Sequence, residues 1–471
     1  MKKIALTLLA ASLLGHVAAQ NVTDVIYMNP SVQMGTPRFL ATAGAFTALG
    51  NDFSGVHLNP AGLAVFRHNE IGLSLGAGGS TVTSTFYGNT MLNNWTNFIF
   101  ANIGYTKRMT TNDPDITWNF GITYNRNSHA NSEAQSDGIN PESTILEDWI
   151  YNASGIAPDD LASSGLLYES LGYQAYLLEA DVDNNYFTEA QLSETRQFFT
   201  ERVNAHFDEL GISVAVDNSE KLYLGGSLNI PFYKYAVDFF YQESGYGGDS
   251  IRGMEMLETF TNSGIGFNLK FGAIYRPIPN LRLGASIFTP TWMSVTQEYE
   301  VEVTGNFVNS ESITAKAEFD PFVYSMRTAP QTNLGVAYVF GQNGFISVDY
   351  NFVPLRWSGT STPDLSYLKQ DIKDLLNNQH TFRIGAEIRL VNVYLRGGYS
   401  FLTDPYASEV QDASRKTYNM GIGYRANKFT FDIGYSIQNE DFQFYPHSQN
   451  VQPAQQSITR KPFVASLSLR L

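Results

Sequence analysis

The sequence predicts an all-β transmembrane barrel of about fourteen antiparallel strands, with an N-terminal hatch plugging the lumen and a helical extracellular insertion. Three observations carry this. Charged residues make up only 16% of the chain, whereas aromatics reach 14%, with 27 Tyr, 32 Phe and 39 Gly. Low charge with abundant Tyr, Phe and Gly suits strands that face lipid on one side. Segments of period two recur along most of the chain, joined by links that alternate between short and long. No apolar run beyond the N-terminus approaches the ~20 residues of a membrane helix, so any spanning falls to a closed barrel.

The first residues read as a secretory leader. Lys2-Lys3 precede the apolar run Ile4 to Leu14, and Val17-Ala18-Ala19 supplies small residues for cleavage, giving a signal peptide over 1–19. Cysteine is absent, which excludes disulfides and a lipid anchor on a cysteine. The chain holds 30 Lys+Arg against 45 Asp+Glu, a net charge of −15, and loss of Lys2 and Lys3 makes it more acidic still. A nucleic-acid partner needs the opposite sign.

Residues 33–66 lack the bulk for a core of their own. They read Met34-Gly35-Thr36-Pro37-Arg38, then Ala41 to Phe46, then Asn51-Asp52-Phe53-Ser54-Gly55, then Leu58-Asn59-Pro60-Ala61-Gly62-Leu63. A barrel of this size leaks unless its lumen is filled. Inside it, a turn fixed by Pro60, with Asn59 bonded to nearby backbone, is both rigid and satisfied. Residues 20–68 are therefore the expected hatch and 69–471 the barrel.

Period-two segments lie near 69–78, 97–108, 115–127, 206–217, 221–241, 263–276, 281–303, 312–340, 344–358, 379–391, 393–402, 416–426, 428–438 and 460–471. In the third, Ile116, Trp118, Phe120, Ile122 and Tyr124 alternate with Thr117, Asn119, Gly121, Thr123 and Asn125. Small uncharged polar groups on one face suit a wet lumen, and the aromatic face suits lipid. Pro321 and Pro330 interrupt the eighth. Turns such as Asp217-Asn218-Ser219-Glu220 and Gly341-Gln342-Asn343-Gly344 mark the periplasmic side, and the longer links the extracellular side. The chain stops on a strand, as a closing last strand would.

The longest link, 128–205, carries helical signals. Leu167, Leu171, Gln174 and Leu178 step by four, three and four. Thr188-Glu189-Ala190-Gln191 reads as a capping box ahead of Leu192, Phe199, Val203 and Phe207 on one face. Two amphipathic helices above the barrel mouth are expected. Leu167, Leu171, Leu178, Phe199, Val203 and Phe207 either pack among themselves and on the rim or line an external apolar groove.

The stretch Gly44 to Ala64, GAFTALGNDFSGVHLNPAGLA, resembles the N-terminal hatch of the FadL family of outer-membrane transporters for hydrophobic compounds. Asn59-Pro60-Ala61 matches that family's hatch tripeptide. The segments Arg327 to Tyr338, Phe382 to Glu387, and Tyr394 to Ser400 followed by Asp404-Pro405 are also similar. The likeness extends over nearly the whole mature chain. It implies capture of an apolar ligand in an extracellular groove, transfer to a pocket near the hatch, and sideways exit at a kinked third strand. Gly121 is the candidate for that kink, or else it accommodates a neighbouring side chain. The resemblance implies a monomer in the outer membrane of a Gram-negative bacterium. Its partners would be a fatty acid or similar hydrophobic ligand, outer-membrane lipid, and the barrel-assembly machinery during biogenesis.

Other chemistry is weaker. Asp181, Asp183 and Asn185 with Glu189 start like a calcium loop, but Tyr186 and Leu192 occupy positions that need Gly and Glu, so a solvated turn is the better reading. The His residues lack metal-ligand spacing, His57 reads as a satisfied polar residue, and nothing local marks a Ser/His nucleophile. No enzyme, cofactor or metal is expected. Two other functions stay open: docking in protein secretion or surface assembly on the same scaffold, and uptake of an aromatic hydrocarbon or haem, the last without an axial-ligand arrangement.

Overall fold

A computed structural model describes residues 22–30, 33–191, 194–407, 413–447 and 451–471, so the expected leader at 1–19 lies outside the described residues. The barrel has fourteen antiparallel strands when interrupted ladders are counted as one. They are β1 (Glu70–Phe86), β2 (Asn89–Thr110), β3 (Ile116–His129, resuming as Ser132–Asn140), β4 (Thr195–Asn218), β5 (Leu222–Ser244), β6 (Ile251–Ile278) and β7 (Leu281–Phe288 and Trp292–Phe307). The second half comprises β8 (Ile313–Glu318, Phe322–Arg327 and Gln331–Val339), β9 (Gly344–Val353), β10 (Gln379–Leu390), β11 (Val393–Leu402), β12 (Arg415–Ala426), β13 (Phe429–Phe444) and β14 (Ala454–Arg460 and Phe463–Arg470). β1 pairs with β14, from Glu70↔Arg470 to Ala77↔Phe463, which closes the wall.

Alternation sets which face meets lipid. On β3, Trp118 and Ile122 are exposed while Thr117, Asn119, Thr123 and Asn125 are buried in the lumen. The same apolar-out, polar-in pattern runs round the barrel, with Phe271, Ile287, Val336, Phe382, Met420 and Leu467 exposed on its outside. No described helix is long and apolar enough to cross a membrane.

Several strands run further than the sequence indicated. β1 and β2 continue to a two-residue turn at Tyr87-Gly88, whose positive φ values of 44° and 79° fit the tight hairpin turn that matches strand twist. β4 and β6 begin at Thr195 and Ile251 rather than near 206 and 263. Above the bilayer the outer face turns polar, so the alternation fades while the hydrogen-bonded ladder continues. β9 ends at Val353, and Pro354 leads into a 3-10 turn at Leu355–Trp357.

The insertion differs from expectation. Its helices are α4 (Ile145–Ala153) and α5 (Leu167–Gln174), whereas 132–140 and 195–205 are strand. The capping box that forms is Thr144 with Glu147, at the head of α4. The expected helix over Phe199, Val203 and Phe207 is instead part of β4. A spacing of four residues fits one helix face and one strand face equally, so these positions alone could not decide. Leu192 lies outside the described residues.

The lumen holds α1 (Val22–Met28), α2 (Pro37–Ala41), α3 (Phe53–Leu58) and a 3-10 turn at Pro60–Val65. Thr36 caps α2 by accepting from Phe39 N–H, and Asp52 caps α3 by accepting from Ser54 and Gly55 N–H. Too short to persist alone, these turns are held by the wall. Arg282 Nη1 donates to Leu49 O at 2.6 Å, Ser286 Oγ to Leu58 O at 2.7 Å, and Asn119 Nδ2 to Leu63 O at 2.7 Å. Thr47 N–H donates to Asp349 Oδ2 at 2.7 Å.

Candidate ligand cavity and lateral opening

Asn59 joins two short helical turns. It ends α3 and begins the turn at Pro60, where its Oδ1 accepts from Ala61 N–H at 3.1 Å. Its Nδ2 donates to Thr47 O at 2.7 Å, and to Ala273 O and Ala285 O on the wall at 3.2 and 3.4 Å. One buried amide thus ties two parts of the plug to β6 and β7.

The wall receives this turn on glycine. A Cβ on Gly272 would lie 1.9 Å from Asn59 Oδ1, and one on Gly225 would lie 2.4 Å from the Pro60 carbonyl carbon. These two glycines face each other across β5 and β6. The pair Gly385 and Gly398 meets Thr42 in the same way. Backbone can approach wall this closely only where no side chain intervenes.

Gly121 belongs to this set rather than to a kink. A Cβ on it would lie 2.9 Å from Leu63, which uses that room, and its register with β2 and β4 is unbroken. The irregularity in β3 lies higher, as a β-bulge between Arg126 and Ser128. Bulges bend a strand and end its pairing on one side. Here β3 pairs with β2 only from Thr117 to Asn125. Beyond that, β3 pairs with β4 alone and β2 with β1 alone. The resumed part of β3 lies against the inner face of the β1–β2 hairpin, with Ser136 Oγ 2.6 Å from Ser84 Oγ and Ala134 packed on Val82. The seam between β2 and β3 is therefore not closed by backbone hydrogen bonds. Across it, His129 Nε2 and the Asn97 amide nitrogen are 3.1 Å apart.

The plug reaches the bulge. Asn127 O accepts from Gln33 and Met34 N–H at 3.0 and 3.2 Å. Asn125 Nδ2 donates to Asn127 Oδ1 at 2.7 Å, and Ser54 Oγ donates to Asn125 Oδ1 at 2.6 Å. Gly35, at φ 143°, is where Ser54 passes, since a Cβ there would lie 2.1 Å from Ser54 Oγ.

Beside the bulge is a cavity of about 120 Å³. Ile26, Tyr27, Met34, Leu402 and Tyr406 give it apolar surface, and Ser128, His129 and Ala130 form its side at the seam. Arg415 and Arg460 also line it. The Nε atoms of both are buried with no hydrogen-bond partner among the described residues, although Arg460 pairs with Glu440 through Nη1.

Below the cavity, His57 Nδ1 lies 2.8 Å from Glu209 Oε1 and Nε2 lies 2.9 Å from Thr123 Oγ1. Lys270 pairs with Glu209 and donates to His57 O at 3.0 Å. Burial pushes the His57 imidazole pKa below its ordinary value, against the pull of Glu209. A neutral ring that donates from Nδ1 and accepts at Nε2 satisfies both neighbours.

The six expected groove residues do not form one groove. Leu167, Leu171, Leu178 and Phe199 are sealed into a core with Trp149, Phe86 and Tyr241. Phe207 packs in a second cluster with Val22, Val25 and Met28 of α1, and Val203 is half-buried. Asp181 accepts from Asp183 and Asn185 N–H at 2.9 Å in an exposed turn. Among the described residues no cluster of three His, Cys, Asp or Glu is placed to hold a metal. Asn97, Asn127, Arg415 and Arg460 escaped sequence reading, because a polar residue in an alternating strand looks the same at a seam as along an intact ladder.

No family model and no curated protein sequence matches the chain. Solved structures do. A Pseudomonas aeruginosa FadL homologue aligns at 13% identity over 93% of this chain and 98% of its own, with a TM-score of 0.55. The Ralstonia pickettii toluene transporter TbuX aligns at 12% identity over 93% and 99%, with a TM-score of 0.53. The P. putida toluene transporter TodX aligns at 12% identity over 93% and 99%, with a TM-score of 0.55. The fold of this chain is thus that of FadL-type barrels across nearly its whole length.

Proposed function

We propose that this chain is an outer-membrane transporter of hydrophobic molecules of the FadL type, and that it favours ligands with an apolar chain and a carboxylate, long-chain fatty acids foremost. One observation carries this reading: an apolar and aromatic cavity lies beside the unpaired seam between β2 and β3 and has Arg415 and Arg460 in its wall. The guanidinium groups offer the planar donor geometry that a carboxylate accepts.

The exit is sideways. An alkyl chain gains ~0.8 kcal/mol per CH₂ removed from water, and a wet pore would forfeit that at every step. A seam open to the hydrocarbon keeps the chain dry. Loading requires movement, since the closed cavity is smaller than the ~300–1,000 Å³ of ordinary ligand pockets. Residues 23–30 with Gln33 and Met34 are the wall that can yield, because they belong to no barrel ladder. Their shift would pull on Asn127 through Gln33 and Met34, linking occupancy of the cavity to the seam.

The test is uptake of labelled palmitate and of toluene into Gram-negative cells lacking their own transporters, with barrel level checked in the outer membrane. Palmitate uptake above toluene uptake supports the reading. Neither ligand entering, with a well-folded barrel, rejects transport and favours a docking role.

A further inference from the structure

Three neighbouring strands place one outward side chain each at the same height. Phe267 on β6 pairs in register with Trp292 on β7, and Trp292 with Arg327 on β8. The Phe267 and Trp292 rings stack at 5.2 Å. This row marks the outer edge of the apolar band. Below it the outward residues of β7 are Leu283, Ala285 and Ile287; above it they are Ser294, Thr296, Glu298, Glu300 and Glu302. Aromatic side chains at such a boundary sit at headgroup level.

At this level β7 and β8 are interrupted at Pro290 and Pro330, and the link after β9 lies against the wall, with Gly359 and Thr360 paired to Arg327 and Met326. That link contains α6 (Leu368–Leu375). Between wall and link is a recess of about 1210 Å³. Its cationic lining is Arg327, Arg356, Lys369 and Lys373, and no Asp or Glu lines it. All four are exposed, and none makes an ion pair among the described residues. Lys369 and Lys373 are four apart on one face of α6. Arg327 Nη2 donates to Trp357 O at 3.0 Å and Arg356 Nε to Leu376 O at 2.5 Å, so both guanidinium groups are fixed with N–H groups to spare. Four unpaired cations in one recess stand out in a chain of net charge −15.

We infer that this recess docks a lipid of the outer leaflet whose headgroup carries phosphates. The acyl chains lie against Ile287 and Phe267, and the phosphates reach the two arginines on one side and the two lysines on the other. Charge complementarity and height both select this occupant: a lipid in that leaflet presents phosphate at the level where the apolar band ends. The inference is independent of what the lumen transports.

The test uses the full chain purified in neutral detergent and titrated with fluorescent bisphosphorylated lipid A, its dephosphorylated form, and phosphatidylethanolamine. The bisphosphorylated lipid is expected to bind at least several-fold more tightly than the other two. Lys369→Gln/Lys373→Gln removes two exposed lysines and leaves the wall intact. It is expected to weaken that binding by about tenfold or more. Heat-modifiable migration on gels checks that the variant is folded. Equal binding of all three lipids, or an unchanged affinity in the folded variant, overturns the inference. So does displacement by inorganic phosphate at equal concentration, which would mean a free-anion site.

Discussion

The carbonyl of Asn127, the residue inserted by the bulge in β3, accepts the backbone N–H of Met34 at 3.2 Å. A plug residue and the bulge above which β3 no longer pairs with β2 are thus in direct contact. Substitution at 127 leaves a backbone bond in place, so the coupling is better tested through Asn125, whose side chain joins Ser54, Met34 and Asn127. Asn125→Leu is expected to leave the barrel assembled and to raise hydrogen exchange at Gln33 and Met34 at least severalfold. Unchanged exchange there would show that the side chain does not hold plug to bulge.

Asn59→Ala removes three donated bonds and one accepted bond within a buried turn. Leaving buried partners unsatisfied costs about 1–3 kcal/mol. The cost falls on plug docking rather than on the barrel, so residues 53–66 should exchange faster while gel migration of the barrel is unchanged. Gly272→Leu should do the same from the other side, because a side chain there meets Asn59.

Arg415→Gln should lower palmitate uptake severalfold and leave toluene uptake within twofold of the parent. If both ligands are affected alike, the arginine shapes the cavity but does not read the carboxylate.

Acidification should loosen the plug. Burial depresses the His57 pKa, so the undocked state binds a proton more readily than the docked one. The stabilising contribution is present above the ordinary histidine value of ~6.5 and is lost as pH falls toward the depressed value. The ring faces Glu209 and Lys270, and their pairing is part of what a proton would disturb. Exchange at 53–66, corrected for intrinsic rates, should be faster at pH 5 than at pH 7.5. The difference should shrink in His57→Gln.

Much of this fold was legible because a lipid-facing strand writes its environment into the sequence. Ile116 to Asn125 alternates, and the structure puts Trp118 outside and Asn119 inside. The Asn59-Pro60-Ala61 turn was legible as well, since Pro with Asn in an apolar setting demands a container. What failed has physical causes. Phe199, Val203 and Phe207 satisfy two periods at once. Gly121 was open to two readings, a kink or room for a neighbouring side chain, because glycine both bends strands and permits close approach, and Leu63 uses that room. The true break at Asn127 contains neither Gly nor Pro, because its shape is set by bonds from Gln33 and Met34, nearly a hundred residues earlier in the chain.

Sideways exit through the β2–β3 seam is the centre of this account. The chain lacks cysteine. Asn97→Cys/His129→Cys would therefore place a unique thiol pair across the seam, to be bridged by a short bifunctional thiol reagent. Bridging is expected to abolish palmitate uptake in cells, while the unbridged double variant transports as the parent does. Full uptake through the bridged barrel would contradict a lateral path through this seam.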